Sequence, residues 1–190
     1  MGRVESLEVL LNKKVNYFSI IISAKELKET VQKKGDLGKS LNNLKYHIEN
    51  LSYQNYQDVF SQIEVLLAKD IKSRGELIIL FEDIESSILR DKNLPDKDNS
   101  LDNPVKYFSS LVRIKKIEDS DSSKDLNKFS KIRKLLYQGN LTEAINEVKT
   151  ISPDYEHKFE NWIELCKNLV KFESLINFFE STPFDTGNNN

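Results

Sequence analysis

Apolar side chains recur every three or four residues along most of this 190-residue chain. That spacing places them on one side of a helix and predicts an all-α fold. Helices are predicted before residue 91 and again after residue 125, and their approximate bounds are 4–34, 37–51, 56–73, 76–90, 126–138, 141–151 and 153–180. In the first helix, one predicted apolar side carries Val4, Leu7, Leu11, Val15, Phe18, Ile22, Leu27 and Val31.

Polar stretches divide the chain. Residues 92–104 are rich in Asp, Asn, Lys and Pro and contain almost no apolar residues, so we interpret them as a linker. Residues 118–125 form a second polar stretch. We therefore predict N-terminal helical hairpins over residues 1–91, a C-terminal helical region over residues 105–181, and a disordered tail over residues 182–190.

Three glycines occupy similar places in the apolar pattern. Gly35, Gly75 and Gly139 each follow a predicted helix and stand two residues before a leucine that starts the next one. Glycine commonly ends a helix in the left-handed conformation because it has no Cβ. We therefore predict three tight turns that join antiparallel helical hairpins, which form a bundle or a short irregular solenoid.

Composition changes this picture mainly by excluding classes of protein. Lys and Arg number 28 and Asp and Glu number 30, so bulk charge does not favour nucleic-acid binding. The single Cys166 and the distant His47 and His157 offer neither a disulfide framework nor a Cys- or His-rich metal site. Phosphate-loop, nucleophile-elbow and H-E-x-x-H motifs are missing from the sequence. We expect no catalytic residue, no cofactor and no metal, and a function that resides in surfaces.

Residues 105–117 form an amphipathic segment between the two polar stretches. An apolar side that bears an aromatic residue, next to basic residues, is typical of a helix lying on an anionic membrane. The same pattern fits a helix packed on the bundle with its Lys and Arg in water, or a surface for a partner or a second copy. The candidate lipid or partner contacts are Lys106, Phe108, Leu111, Val112, Arg113, Lys115 and Lys116.

The last predicted helix carries more large apolar residues than one buried side requires. The excess is greatest around Phe172, Phe178 and Phe179. Exposed apolar clusters commonly mark interaction sites. We therefore predict that these three residues contact a partner or form a dimer.

The C-terminal part of the chain resembles the signature of the mitofilin family. Residues 134–151 read KLLYQGNLTEAINEVKTI and are followed by Trp162 in a long apolar helix. This is similar to the family's order of a helix, Gly-Asp-Leu, a second helix, then Trp and a long helix, although Asn140 stands where the family usually has Asp. Residues 107–114, YFSSLVRI, resemble the segment that the family places just upstream. The triplets at Gly35 and Gly75 resemble the earlier helical part of bacterial members.

Mitofilin organises inner-membrane junctions in mitochondria, and α-proteobacteria carry related inner-membrane proteins. The resemblance implies a non-enzymatic scaffold on the periplasmic side of a bacterial inner membrane, which shapes or tethers that membrane through self-association and through contact of residues 105–117 with anionic lipid. It implies no cofactor and no nucleic acid. Family members usually have a membrane-spanning helix and a long coiled coil, which this sequence lacks, so we expect a soluble fragment or a divergent member. The alternative, indicated by the three Gly-x-Leu hairpins, is a tetratricopeptide-like adaptor that binds a protein partner.

Overall fold

A computed structural model describes residues 2–51, 53–93 and 120–182. Within these residues all regular secondary structure is helical, which confirms the all-α fold predicted from the apolar spacing. A single 3-10 turn, Pro153–Tyr155, precedes the last helix and begins with the proline, as expected for a residue without an N–H. The α-helices are α1 (Gly2–Lys33), α2 (Leu37–Leu51), α3 (Gln54–Leu67), α4 (Arg74–Asn93), α5 (Ser120–Tyr137), α6 (Leu141–Val148) and α7 (Glu156–Ser181).

The helices form two compact units that differ from the division predicted from the sequence. Among the described residues, the first unit combines those up to 73 with those from 167 to 182, and the second comprises those at 74–93 and 120–166. Helix α4 therefore belongs with α5 and α6, whereas the sequence-based division groups it with α1–α3. The residues that determine this grouping are far apart along the chain, and a periodic pattern cannot show which helices pack together.

The first unit is built from α1, α2, α3 and the second half of α7. Side-chain hydrogen bonds tie α7 to α1, since the Tyr17 hydroxyl donates to the Thr182 carbonyl at 2.7 Å and Lys28 Nζ donates to Asn177 Oδ1 at 3.3 Å. Its buried apolar residues include Ile20, Ala24, Leu27, Val31, Leu44, Ile48, Leu51, Tyr56, Phe60, Ile63, Leu66, Leu169, Phe172, Ile176 and Phe179.

The second unit has an aromatic core. The Phe81 ring of α4 lies 6.3 Å from Phe129 of α5, 5.9 Å from Phe159 and 5.6 Å from Trp162, measured between ring centroids. Trp162 is almost fully buried, and its Nε1 donates a hydrogen bond to the Leu77 carbonyl at 2.8 Å. The only polar atom of the indole is therefore satisfied inside the core.

The turn at Gly139 agrees with the sequence prediction. Gly139 has a φ of +79°, and two backbone hydrogen bonds close the end of α5, from the Asn140 N–H to the Leu135 carbonyl at 2.9 Å and from the Gly139 N–H to the Leu136 carbonyl at 3.0 Å. This pair of bonds defines a Schellman end with glycine in the left-handed position.

The other two predicted turns differ. At the end of α1 the left-handed residue is Lys34, with a φ of +55°, and Gly35 follows it, donating its N–H to the Thr30 carbonyl. The turn is thus present, but glycine stands one position later than predicted. The prediction for Gly75 is wrong, because this residue is the second of α4. The chain turns between α3 and α4 at residues 68–73, before Gly75 is reached. The left-handed residue of this turn is Asp70, which also has a φ of +55°.

Substituting two of these glycines separates their roles. Gly139→Ala forces a Cβ into the left-handed region and against the Arg74 guanidinium, so it should lower the free energy of unfolding by about 1–2 kcal/mol. Gly75→Ala, in open space within a helix, should raise it by about 0.5–1 kcal/mol. Urea unfolding followed by circular dichroism measures both, and a loss of similar size in both variants would contradict the turn assignment.

Trp162 should be the most costly of the aromatic residues to truncate in the second unit. Trp162→Ala leaves a cavity and removes the hydrogen bond to the Leu77 carbonyl, and should cost about 3–5 kcal/mol in urea unfolding. Trp162→Phe retains the ring packing and loses only the hydrogen bond and part of the volume, so its cost should be clearly smaller. A loss below about 1 kcal/mol for the alanine variant would be incompatible with a core position.

Candidate interaction surfaces

Helix α1 carries a row of exposed apolar side chains. Exposure ranges from 55% for Val15 to 66% for Leu7. With a rotation of 100° per residue, the members of the row fall within an arc of about 80° on the helix surface. We call this row the α1 stripe, and it consists of Leu7, Leu11, Val15, Phe18 and Ile22.

The buried side of α1 lies opposite the α1 stripe. Ile20, Ala24 and Leu27 have no exposed surface, and their positions are centred about 180° around the helix from the stripe. The prediction that all the apolar residues of the series lie along one side of α1 is therefore wrong. Leu27 follows Ile22 by five residues and not by three or four, so Leu27 lies on the opposite side of the helix. Helix α1 thus has two apolar sides, and the described residues cover only one of them.

The N-terminal part of α1 depends least on the rest of the first unit. Between Leu7 and Val15 no residue is buried against the described part of the chain. Helices in water derive most of their stability from packing an apolar side against other elements. Monomeric proteins seldom expose a single apolar patch larger than about 300–600 Å². A row of exposed apolar residues that begins in this unburied part of α1 is therefore a candidate interaction surface.

A second candidate surface is a groove within the second unit. It has a volume of about 480 Å³ and lies between α4 and the first half of α7. Each helix supplies residues at positions i, i+3, i+4 and i+7, so the groove follows the helix axes, and Lys158 Nζ donates to Ser87 Oγ at 3.3 Å across it. Apolar and polar residues line it in equal number: Leu80, Asp83, Ile84, Ser87, Lys158, Asn161, Trp162 and Leu165.

Charged residues connect α4 to α5 next to the aromatic core. Arg133 Nε lies 3.5 Å from Glu85 Oε2, and the Tyr137 hydroxyl donates to Glu82 Oε1 at 2.9 Å. The side chain of Glu85 is only 9% exposed, and burial raises the pKa of its carboxyl above the usual value, an effect that Arg133 opposes and Glu82 reinforces. The hydrogen bond to Glu82 likewise raises the pKa of Tyr137. These contacts hold two helices together, and Glu85 is too covered to meet a substrate.

The predicted lipid or partner contacts in residues 105–117 lie outside the described residues. Their role therefore stays a prediction from the sequence. The residues concerned are Lys106, Phe108, Leu111, Val112, Arg113, Lys115 and Lys116.

The predicted partner contact at the end of α7 is wrong for two of its three residues. Phe172 and Phe179 have no exposed surface and lie in the core of the first unit. Phe178 is half-buried, with its ring 5.6 Å from that of Tyr56 on α3. The second half of α7 packs on both α1 and α3, so several of its sides are buried and little apolar excess is left. A partner contact at Phe178 stays a prediction.

The residues with the most reactive side chains occupy unremarkable positions. Cys166 is fully buried, and burial raises the pKa of its thiol to about 12, which keeps it neutral and unreactive. His157 is exposed, and His47 is half-buried beside the Tyr46 ring. Among the described side chains, no group of three or more His, Cys, Asp or Glu residues could hold a metal ion. In the same part of the chain, no helix has the length and apolar character needed to cross a membrane.

Comparison with known proteins adds no relative. No protein-family model matches the chain, and neither the curated proteins nor the solved structures contain a match. Any assignment of function therefore depends on this chain's own residues and on the resemblance described above.

The stability of the second unit should depend on pH through Glu85. Because the pKa of Glu85 is raised in the folded state, the carboxyl is protonated at a higher pH in the folded than in the unfolded chain. The free energy of unfolding of the natural chain, relative to Glu85→Gln, should therefore rise as the pH falls from 7 towards 4.5 and change little below that. Urea unfolding of both proteins across this range tests it. If the free energy of unfolding relative to Glu85→Gln instead increases with rising pH, the Arg133 ion pair affects the pKa of Glu85 more than burial does.

Proposed function

We propose that this chain is a non-enzymatic scaffold domain that helps to organise a membrane. The observation that carries the proposal is the α1 stripe, because a helix with one side in the core and a second apolar side exposed is built for association as well as for folding. In this proposal the exposed helix side joins other chains, and residues 105–117 contact anionic lipid.

The resemblance to mitofilin supports the membrane part of the proposal. That resemblance centres on residues 134–151, which contain the turn at Gly139, and on Trp162. Trp162 is buried in the following long helix and hydrogen-bonds to the Leu77 carbonyl. In its specific form, the proposal places the domain on the periplasmic side of a bacterial inner membrane, where it shapes or tethers the bilayer. Net charge is near zero, so lipid contact would depend on the local basic cluster in residues 105–117 and not on the whole chain.

A second candidate is a tetratricopeptide-like adaptor, and the observation that favours it is the groove between α4 and α7. The periodic spacing of its lining residues on both helices suits an amphipathic helix laid into it. Such an adaptor would need no lipid contact, so binding to vesicles separates the two candidates.

Vesicle flotation tests the membrane part. The chain should float with vesicles that contain about 30% anionic lipid and stay at the bottom of the gradient with neutral vesicles. Arg113→Glu/Lys115→Glu/Lys116→Glu should lose most of this binding, because each nearby basic residue contributes about 1 kcal/mol of attraction to an anionic surface.

The matched control moves the same amount of charge elsewhere. Lys45→Glu/Lys167→Glu/Lys171→Glu changes three exposed lysines of the described helices and alters net charge equally. It should float nearly as well as the natural chain. Equal flotation by both triple variants would contradict the proposal that residues 105–117 contact lipid. An absence of flotation by the natural chain would favour the adaptor.

A further inference from the structure

We propose that the α1 stripe pairs two copies of this chain through parallel, in-register α1 helices. The inference deepens the proposed function, on which it rests for the idea that the chain acts as a scaffold through its exposed helix sides. It names the partner at that surface, which is a second copy of the same helix.

The shape of the α1 stripe points to another helix as its occupant. Helices that face a globular core carry apolar residues over an arc of 100° or more, whereas the seam of a helix pair is narrower. The α1 stripe spans about 80° around the helix and about 22 Å along it. An interfacial helix on a membrane needs a broad apolar side with basic residues at both edges. The α1 stripe does not fit this pattern, because the acidic Glu8 stands at one of its edges.

The spacing within the stripe repeats in a way that an identical helix can match. Phe18 follows Leu7 by eleven residues, and Ile22 follows Leu11 by the same number. An eleven-residue repeat covers three turns at about 3.67 residues each, which keeps the seam nearly straight along the helix. Two such seams placed side by side can interlock their side chains as knobs and holes without strong supercoiling.

Charge at the edges of the stripe favours the parallel arrangement. Glu8 lies about 60° to one side of the stripe centre and Lys14 about 60° to the other. In a parallel two-fold pair, opposite edges meet, so Glu8 of one copy is on the same side as Lys14 of the other. In an antiparallel pair centred on the stripe, the two Lys14 residues face each other near the midpoint, which like charges disfavour.

Two valines of α1 provide a matched test of self-association. Val15 lies in the stripe and Val9 lies on a different side of the helix, and both are 55% exposed, so neither substitution should disturb the fold of the single chain. Sedimentation equilibrium of the full chain should show a concentration-dependent dimer. Val15→Asp, and more strongly Val15→Asp/Phe18→Asp, should weaken dimerisation by at least about 100-fold, because charges replace apolar side chains in the seam. Val9→Asp should dimerise like the natural chain.

Cysteine cross-linking tests the orientation. The native Cys166 is buried, so an introduced cysteine reacts alone. In a parallel pair Leu7 of one copy lies beside Leu7 of the other, and Leu7→Cys should form a disulfide-linked dimer on mild oxidation. In an antiparallel pair Leu7 meets Ile22, so only a mixture of Leu7→Cys and Ile22→Cys chains would cross-link. That second result would overturn the parallel arrangement.

The outcomes distinguish this inference from the proposed function. A natural chain that stays monomeric at all accessible concentrations, or dimers unaffected by Val15→Asp/Phe18→Asp, would overturn pairing through the stripe. If those same substitutions instead abolish vesicle flotation of a monomeric chain, the stripe faces lipid and the inference fails while membrane binding stands. Dimers that depend on the stripe, together with an absence of flotation, would retain the inference and remove the membrane part of the proposal.

Discussion

The second unit depends on how the indole of Trp162 is accommodated. A buried tryptophan stabilises a small core only if its N–H finds an acceptor, and here the acceptor is the Leu77 carbonyl in the first turns of α4. The same ring lies tilted by 53° against that of Phe81, which in turn contacts Phe129. One side chain thus fixes α7 to α4, and the aromatic cluster extends the contact to α5. The groove along α4 and α7 lies beside this anchor, and Trp162 forms part of its lining.

Helix α1 carries apolar residues on two opposite sides, of which one is buried and the other exposed. A surface helix normally keeps one side apolar and the rest polar. In α1 the side with Ile20 and Ala24 is fully buried, and the opposite side at Phe18 and Ile22 is more than half exposed. Keeping those residues apolar lowers solubility and adds nothing to the described core. In the proposed scaffold, association through the exposed side accounts for this arrangement.

The sequence predicts local structure well and long-range pairing poorly. The helices and the end of α5 at Gly139 follow from apolar spacing and from the glycine that the left-handed position prefers. Gly75 carries the same sequence signal and lies inside α4, because Asp70 already makes the turn five residues earlier. Nothing local distinguishes these two glycines. The assignment of α4 to the second unit depends on Phe81 meeting residues about 50 to 80 positions away, which periodicity does not encode.

The candidate surfaces show the same limit. Phe172 and Phe179 look like surplus apolar residues in the sequence, and they are buried because the second half of α7 packs on two helices at once. The α1 stripe looks like a core side and is exposed. A clue to the stripe was present in the sequence, since Leu7 and Phe18 repeat at eleven residues while Leu27 breaks that register. A change of register within one helix indicates that its two parts face different neighbours.

Burial accounts for several of the raised pKa values in the described part of the chain. Catalytic sites bring together groups whose pKa values are shifted by burial and by specific charges. Here burial is the leading cause for Tyr56, whose pKa rises to about 12, and for Glu85 and Cys166. Tyr56 lies in the first unit among Tyr17 and Tyr53, and Glu85 pairs with Arg133 in the second. Burial is the first cause of each pKa shift, and neighbouring groups modify the shift of Tyr56 and of Glu85. Desolvation of this kind penalises the charged form of each group, so these raised pKa values report how closely the helices pack around them.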